Sequence, residues 1–316
     1  MLMKINELVG KFKDVDFLVV SSKIKPSSNG SEFIELDLTD GKSNIMAKKW
    51  DVSTNRFPKG SVVLISGEMS EWKKTTSILI SSIQPSTLKP EDLYRRAPNS
   101  VGDLLGTLYS TLNELPDSEM KTVTVSLINR YRKQFIEVPA AIKMHHNYRE
   151  GLLQHTAEVV SMAKSLLKSR VTLTEDLFDE SLVVCGANLH DIGKCLCYKI
   201  KDGVPEMTNL GKFKDHLVVG SQMLNEEAHL LGIDVNQRWF MMLDHIIVSH
   251  HGKLEWGSPV APCFPEAELV FMADLDSSHL TMMRETLDVQ KETWSDKRDF
   301  RFNSYLYNES VHEECD

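Results

Sequence analysis

The sequence predicts a multidomain protein of mixed α and β class, in which a small β-barrel is followed by an all-α domain. Its 316 residues suffice for about two domains at roughly 150 residues each. Residues 12–85 consist of short alternating segments separated by turn residues, whereas helical periodicity begins after Pro85 and Pro90. With 41% hydrophobic residues, each part can bury a core of its own.

Five segments of the first part are typical of β-strands. The segment 33–38 alternates apolar and polar residues, as a half-buried strand does, and it stops at Asp40-Gly41, a strong hairpin turn. A longer insertion, residues 51–60, separates the third segment from the fourth. Five strands in this order resemble an OB-fold, a small barrel that binds single-stranded nucleic acid. The predicted strands are Val15–Lys25, Phe33–Leu38, Asn44–Trp50, Ser61–Gly67 and Thr76–Ser82.

Seven segments beyond the prolines have the apolar spacing of helices, with Pro and Gly mostly between them. We therefore divide the chain into a barrel domain (1–88), a linker with a helical lead-in (89–144) and a helical domain (145–316). The predicted helices are Val101–Leu115, Ser118–Phe135, Leu152–Leu167, Leu177–His190, His216–Leu231, Gln237–His250 and Glu266–Leu287.

Charge is distributed unevenly along the chain. The net charge of the chain is −9. Residues 1–90 carry 13 Lys/Arg and 10 Asp/Glu, whereas residues 91–316 carry 23 Lys/Arg and 35 Asp/Glu. A mildly basic barrel followed by an acidic helical domain favours an anionic partner for the barrel.

The composition also indicates the compartment. No apolar run approaches the roughly 20 residues that span a bilayer, and the first residues lack the apolar core of a signal peptide. The five cysteines are odd in number and contain no CxxC pair, which suits a reducing environment better than a disulfide framework. We therefore expect a cytoplasmic protein without membrane association.

Several predicted helices turn a possible metal ligand toward the core. His155 shares a helical face with Val159 and Ala163, and His250 shares one with Ile247. A single inward histidine is more often a hydrogen-bonded core residue, but nine of the eleven histidines lie between positions 145 and 251. Unsatisfied buried polar groups cost about 1–3 kcal/mol each, and one divalent cation satisfies several together. The residues so placed are His155, His190 with Asp191, His250 and Asp274.

The same residues resemble a known pattern. The order His155, His190-Asp191, Asp274 is similar to the H…HD…D motif of HD-domain phosphohydrolases, and His216 and His250-His251 resemble the extra ligands of the two-metal branch. The resemblance is closer to YhaM-type 3′–5′ exoribonucleases, which join an OB-fold to an HD domain, and it covers nearly the whole chain. One departure is Glu150, where a glycine is expected. The phrases that carry the resemblance are HHNYREGLLQH (145–155), HDIGK (190–194), DHLVVG (215–220), HIIVSHHGKLEWGSP (245–259) and ADLD (273–276).

We expect one or two divalent ions at these residues. Our hypothesis is that His155, His190, Asp191 and Asp274 hold one ion, and that His216 and His250, with His251 as a further candidate, hold the second with Asp191 shared. Mixed imidazole and carboxylate ligands suit Mn²⁺, Co²⁺, Fe²⁺ or Zn²⁺ better than Mg²⁺, and we expect Mn²⁺. Such ions activate water and neutralise phosphate charge. Lys194, one turn past His190, either holds a phosphate oxygen or is a solvated lysine. The family motif also includes His145 and His146. On that basis alone we assign them to substrate contact or to hydrogen bonds with the metal ligands.

For the barrel, the expected substrate contacts are aromatic side chains interleaved with lysines. Each stacked base contributes about 1–3 kcal/mol without regard to base identity. The alternative is that the aromatic residues are barrel core and the lysines ordinary surface. The candidates are Lys48, Lys49, Trp50, Trp72 and Lys73, with Phe33 and Phe57 as further aromatic residues.

The resemblance implies a metal-dependent 3′–5′ exonuclease that acts on single-stranded RNA, with DNA as a second substrate, and releases nucleoside monophosphates. A homo-oligomer is also compatible with it. Two other classes stay open at this point. One is an HD phosphohydrolase of a nucleotide or cyclic dinucleotide with a regulatory barrel, and the other is a non-catalytic nucleic-acid-binding protein with a metal-stabilised scaffold.

Overall fold

The computed structural model describes residues 4–27, 30–41, 43–50, 57–72, 75–94, 96–142, 146–174, 177–201, 204–288, 290 and 292–311. The strands of its first part are β1 (Lys11–Pro26), β2 (Glu32–Thr39), β3 (Asn44–Trp50), β4 (Val62–Trp72) and β5 (Thr75–Pro85). They close into a barrel in the order β1-β2-β3-β5-β4, with β1 pairing with both β2 and β4. All pairs are antiparallel except β3 with β5. The five-stranded OB-fold barrel predicted from sequence is therefore confirmed.

Side-chain alternation builds the barrel core. Ile34, Leu36 and Leu38 of β2 are fully buried, whereas the residues between them are only partly covered. The 16-residue β1 spans two neighbours, and its register shifts beside both of them. At Gly67 a Cβ would lie 2.5 Å from the carbonyl oxygen of Leu79, so β4 and β5 approach this closely only because glycine stands there.

The second part is helical and shares one hydrophobic core. The fully buried Leu108, Leu127 and Phe135 of the lead-in pack in the same core as residues of the later helices. Ser100 and Ser118 start the first two helices because their hydroxyls accept backbone N–H groups of the first turn. Within the described residues, the α-helices are α1 (Val101–Asn113), α2 (Glu119–Arg130), α3 (Arg132–Glu137), α4 (Gly151–Thr174), α5 (Glu180–Leu189), α6 (Lys194–Cys197), α7 (Asn209–Leu231), α8 (Arg238–Ser249) and α9 (Pro265–Leu287).

A short hairpin that the sequence pattern does not predict lies between α6 and α7. Its strands are β6 (Tyr198–Lys201) and β7 (Val204–Met207). Val204 packs with Leu18 and Val62 of the barrel, and Glu206 forms an ion pair with Lys59. The hairpin thus joins the barrel to the helical part directly beside α6.

No helix among the described residues is both long enough and apolar enough to cross a membrane. The longest, α4, has 24 residues but includes charged and polar side chains along its exposed face.

Candidate metal centre

Five helices bring the predicted ligands together. α5 ends at His190, and Asp191 follows in the turn, with both side chains almost completely buried. The other ligands come from α4, from α7, from the end of α8 and from α9: His155, His216, His250 with His251, and Asp274. The inward faces that helical spacing predicts for these residues are the faces that meet here.

The first cluster lies on one oxygen of Asp191. The Nε2 atoms of His155 and His190 are each 3.4 Å from Asp191 Oδ2, and they are 3.3 Å from each other. Asp274 Oδ1 is 3.0 Å from His155 Nε2 and 4.0 Å from His190 Nε2. One ligand atom from each of His155, His190 and Asp191 lies within 4.8 Å of the others, which is the arrangement of ligands around one ion.

The second cluster lies on the other oxygen of the same carboxylate. His216 Nε2 is 3.4 Å and His250 Nε2 3.5 Å from Asp191 Oδ1. His251 completes a group with these two histidines, again with ligand atoms within 4.8 Å of one another. Asp191 therefore stands between two groups of imidazoles, one on each oxygen.

The outer nitrogens of the imidazoles are already occupied. His190 and His250, at the ends of α5 and α8, each turn Nδ1 back to the carbonyl oxygen three residues earlier, at 2.8 Å. Since carbonyl and carboxylate oxygens only accept, Nδ1 carries the proton and the Nε2 lone pair faces the centre. The partners are Ser277 Oγ for His155, Ala187 O for His190, Asp215 Oδ1 for His216, Ile247 O for His250 and Trp256 O for His251.

Buried polar atoms at the centre have the chemistry of metal ligands. Among the described residues, Asp191 Oδ1 and His216 Nε2 have no hydrogen-bond partner of normal geometry. The Nε2 atoms of His155 and His190 lie 3.3 Å apart, and each is a nitrogen that can ligate a cation. The donor set of imidazoles and carboxylates therefore fits divalent transition ions.

The electrostatics favour the charge state that metal binding requires in three of the imidazoles and in Asp191. Burial lowers the pKa of His155, His216 and His250, so their imidazoles are neutral. Burial alone would raise the pKa of Asp191, but the charge of the neighbouring Lys194 holds it well below its usual range. The carboxylate is therefore ionised at the centre of the site.

Lys194 begins α6 and its ammonium lies 2.6 Å from Asp191 Oδ2. Burial lowers the pKa of Lys194, but the neighbouring Asp191 charge raises it above its ordinary value. The lysine is thus a buried, charged group inside the centre, and the alternative of a solvated lysine is wrong.

Close backbone packing around Gly193 brings His216 to the centre. A Cβ on Gly193 would lie 2.0 Å from the carbonyl oxygen of His216 and 2.6 Å from the amide nitrogen of Gly220. Immediately before His216, α7 is broken at Asp215, whose backbone is left-handed with φ 59°. Asp215 Oδ1 accepts hydrogen bonds from both the amide and the ring Nδ1 of His216, so this break also fixes the imidazole. α7 therefore begins seven residues earlier than the predicted helix.

A chain of hydrogen bonds behind His155 was not predicted. Ser277 Oγ accepts from His155 Nδ1 at 3.0 Å and donates to Glu158 Oε2 at 2.8 Å. Glu158 also contacts His146 Nε2 at 3.2 Å and accepts from Gln154. Burial opposes ionisation of Glu158, but the bonds from His146, Gln154 and Ser277 lower its pKa to about 2. The available sequence signal was the spacing of Glu158, three residues after His155 on the same helix.

His146 itself lies beside the first cluster. It is buried, and its ring centroid is 5.4 Å from that of His155. The tight turn before α4 places it there, since a Cβ on Gly151 would lie 2.1 Å from the carbonyl oxygen of His146. His145, the other histidine of this phrase, lies outside the described residues.

The predicted substrate contacts of the barrel lie apart from these ligands, on β3 and β4. Trp50 is 42% exposed and packs against Phe33 with ring centroids 4.9 Å apart, and Lys48 Nζ is 5.8 Å from the Phe33 ring. Lys49 and Trp50 line a groove of about 740 Å³, and Lys49 Nζ donates to Ser81 O at 3.2 Å. Trp72 is the last residue of β4, and Lys73 lies outside the described residues.

Comparison with known proteins agrees with this arrangement. The HD domain family model matches residues 152–278, which contain all the ligands named above. The chain is 32% identical to the 3′–5′ exoribonuclease YhaM of Halalkalibacterium halodurans over 96% of this chain and 95% of that protein. It is 30% identical to the 3′–5′ exoribonuclease YhaM of Shouchella clausii over 96% of this chain and 95% of that protein.

One solved structure is also similar to part of the chain. It is the second OB-fold domain of replication protein A from Methanococcus maripaludis, at 21% identity over 28% of this chain and 98% of that one. The TM-score is 0.24, and a likeness of this size carries no conclusion.

The packing at Gly193 predicts the effect of one added methyl group. Gly193→Ala should weaken Mn²⁺ binding about 10- to 100-fold, because the backbone that carries His216 must move away from Asp191. Calorimetric titration with Mn²⁺ measures this. Gly106→Ala in α1 is the control, since its Cβ meets nothing within 4 Å, and it should bind Mn²⁺ like the parent. Equal affinities in the two variants would contradict the prediction.

The chain behind His155 predicts a second effect on metal affinity. Glu158→Gln keeps the size of the side chain but removes the ionised acceptor of Ser277 and His146, so Mn²⁺ binding should weaken about tenfold. Glu268→Gln, on the exposed face of α9, should leave the same titration unchanged. Unaltered affinity in Glu158→Gln would mean that the orientation of His155 does not depend on this chain.

Proposed function

We propose that the chain, which belongs to the YhaM family of 3′–5′ exoribonucleases, hydrolyses single-stranded RNA from its 3′ end to nucleoside monophosphates. The observation that carries the proposal is the position of Asp191, whose two oxygens each face a separate group of histidines. A carboxylate shared in this way is typical of two-metal phosphodiesterases. DNA is proposed as a second, less favoured substrate.

We propose two divalent ions. His155, His190, Asp191 and Asp274 would hold one, and His216, His250 and His251 would hold the other with Asp191 shared. Mn²⁺ is the proposed ion, because imidazole-rich sites with carboxylates favour transition metals over Mg²⁺. Such a pair supplies activation of water and neutralisation of phosphate charge.

The chain's own groups complete the proposed chemistry. The positively charged ammonium of Lys194 contacts Asp191, and it would contact a non-bridging phosphate oxygen when substrate enters. His146, which contacts Glu158 and lies beside His155, would donate a hydrogen bond to the same phosphate. Burial of the ligands excludes bulk water from the carboxylates and strengthens these interactions.

The barrel would hold the strand that the centre shortens. We assign nucleic-acid binding to a domain of residues 1–88, hydrolysis to residues 145–316, and a connecting role to residues 89–144. Trp50, resting on Phe33 with Lys48 beside it, offers the exposed ring and the charge that single-strand binding needs. We propose a cytoplasmic location, supported by four free cysteines among the described residues.

Asp191→Asn tests the proposed function. The variant should lose RNA degradation by at least about 10³-fold, because it removes the charge that both histidine groups share. The assay is a 5′-labelled oligoribonucleotide with Mn²⁺, in which the parent should give a ladder of strands shortened from the 3′ end. Asp276→Asn, two residues past Asp274 and exposed, is the control and should retain the ladder.

The same assay separates the alternatives. Activity of the parent on free nucleotides or cyclic dinucleotides with no ladder would replace the exonuclease by a small-molecule phosphohydrolase. Strand binding with no hydrolysis of either substrate class would favour a non-catalytic protein.

Trp50→Ala tests the role of the barrel. Loss of one stacked base should raise the KM for a strand of about 20 nucleotides by roughly tenfold and leave kcat nearly unchanged. Trp294→Ala is the control, since this tryptophan is 56% exposed and lies outside the barrel. An unchanged KM in Trp50→Ala would remove this face of the barrel from the substrate path.

A further inference from the structure

An exposed phenylalanine lies three residues before a histidine of the second group. Phe213 is 88% exposed, and the side chains of Lys212 and Lys214 on either side of it are exposed as well. It lies on the first turns of α7, three residues before His216. Three residues of backbone reach at most about 11 Å, so the Cα atom of Phe213 lies within that distance of the Cα atom of His216.

The backbone that carries Phe213 is held firmly on both sides. Before it, a Cβ on Gly211 would lie 2.6 Å from the carbonyl oxygen of Cys197, so the first turn of α7 packs directly on α6. After it, Asp215 bonds to both the amide and the ring of His216. The ring is therefore presented to solvent from a fixed position rather than from a loose loop.

A second exposed ring flanks the same histidines from another segment. The carbonyl oxygen of Trp256 accepts from His251 Nδ1 at 2.9 Å, and its indole is 43% exposed. Lys253 Nζ lies 4.4 Å from the centroid of that indole. This loop packs closely on α9, because a Cβ on Gly252 would lie 2.3 Å from the ring of Phe271.

The two aromatic residues belong to segments that carry neighbouring histidines of the second group. The imidazoles of His216 and His251 are adjacent, with centroids 5.0 Å apart; Phe213 lies three residues before His216, and the carbonyl oxygen of Trp256 accepts from His251. Three exposed lysines accompany the rings on a part of the chain whose charge is otherwise acidic. Of the nearby acids, Asp215 is bonded to His216, and Glu255 lies 4.0 Å from Lys253. Exposed rings with cations beside a phosphodiester centre match the chemistry of a single strand.

We propose that Phe213 and Trp256 stack on the bases of the last nucleotides at the 3′ end, with Lys212, Lys214 and Lys253 beside their phosphates. The proposal rests on the proposed function and adds the subsite that seats the substrate at the metal centre. Stacking uses a ring face that every base has, so the subsite accepts any sequence. It disfavours a duplex end, in which pairing holds the bases in the helix and stacking between them covers their faces.

The test combines protein variants with altered substrates. The variants are Phe213→Ala, Trp256→Ala and the conservative Phe213→Trp. Phe300→Ala is the control, because Phe300 is also 88% exposed but lies far from the metal centre. The guanidinium of its neighbour Arg301 donates to Thr286, which is about 18 Å along α9 from Asp274. The substrate is a 5′-labelled oligouridylate of about ten nucleotides, with one abasic nucleotide placed in turn at the last, second-last and third-last position.

Phe213→Ala and Trp256→Ala should each raise the KM by about tenfold, and Phe213→Trp and Phe300→Ala should stay near the parent value. An abasic nucleotide at the stacking position should lower kcat/KM of the parent by a similar factor and have little further effect in the matching alanine variant. Mn²⁺ affinity, measured by titration, should stay within about twofold of the parent in Phe213→Ala.

Three results would overturn the inference. They are equal sensitivity of parent and alanine variants to every abasic position, a Phe300→Ala effect as large as that of Phe213→Ala, or failure of Phe213→Trp to recover the KM. If the parent forms no ladder at all, the proposed function itself fails. A parent that degrades RNA while Phe213→Ala behaves like Phe300→Ala refutes only the subsite.

Discussion

The buried carboxylate of Asp191 is the group on which the rest of the helical part depends. An ionised carboxylate that is 1% exposed is strongly unfavourable unless cations and hydrogen-bond donors surround it. Lys194 supplies one charge at 2.6 Å, and four imidazole nitrogens approach its two oxygens at 3.4–3.5 Å. The need to bring these groups to one point explains why Gly193 lies against the backbone of α7 and why α7 is broken at Asp215.

The hairpin β6–β7 connects this centre to the barrel over a short length of chain. β6 begins at Tyr198, immediately after α6, which starts with Lys194, and β7 contacts the barrel through Val204 and Glu206. The barrel therefore contacts the chain within about a dozen residues of Lys194. Under the proposed function, this contact would keep the barrel near the centre that shortens the strand.

Helical and strand periodicity predicted most of the architecture, and the family and the fold are confirmed. His155, His250 and Asp274 could be placed on inward faces because each lies in a long, regular apolar pattern. The hairpin could not be predicted, because two four-residue strands contain too little alternation of apolar and polar residues to distinguish them from a loop. The bond between Ser277 and Glu158 joins residues 119 positions apart, and local sequence patterns carry no information on such pairs.

Glu150 shows how a departure from the family pattern is accommodated. Its backbone is left-handed with φ 64°, a conformation that costs a side-chain-bearing residue about 1–2 kcal/mol and a glycine almost nothing. The buried carboxylate of Glu150 pairs with Arg96 at 2.5 Å, and a charged hydrogen bond contributes about 1.5–3 kcal/mol, less when its guanidinium is exposed. The two effects are of similar size, so the ion pair offsets the strain. The turn that carries His146 is thus held here by a contact to the lead-in segment, where a glycine would rely on backbone freedom alone.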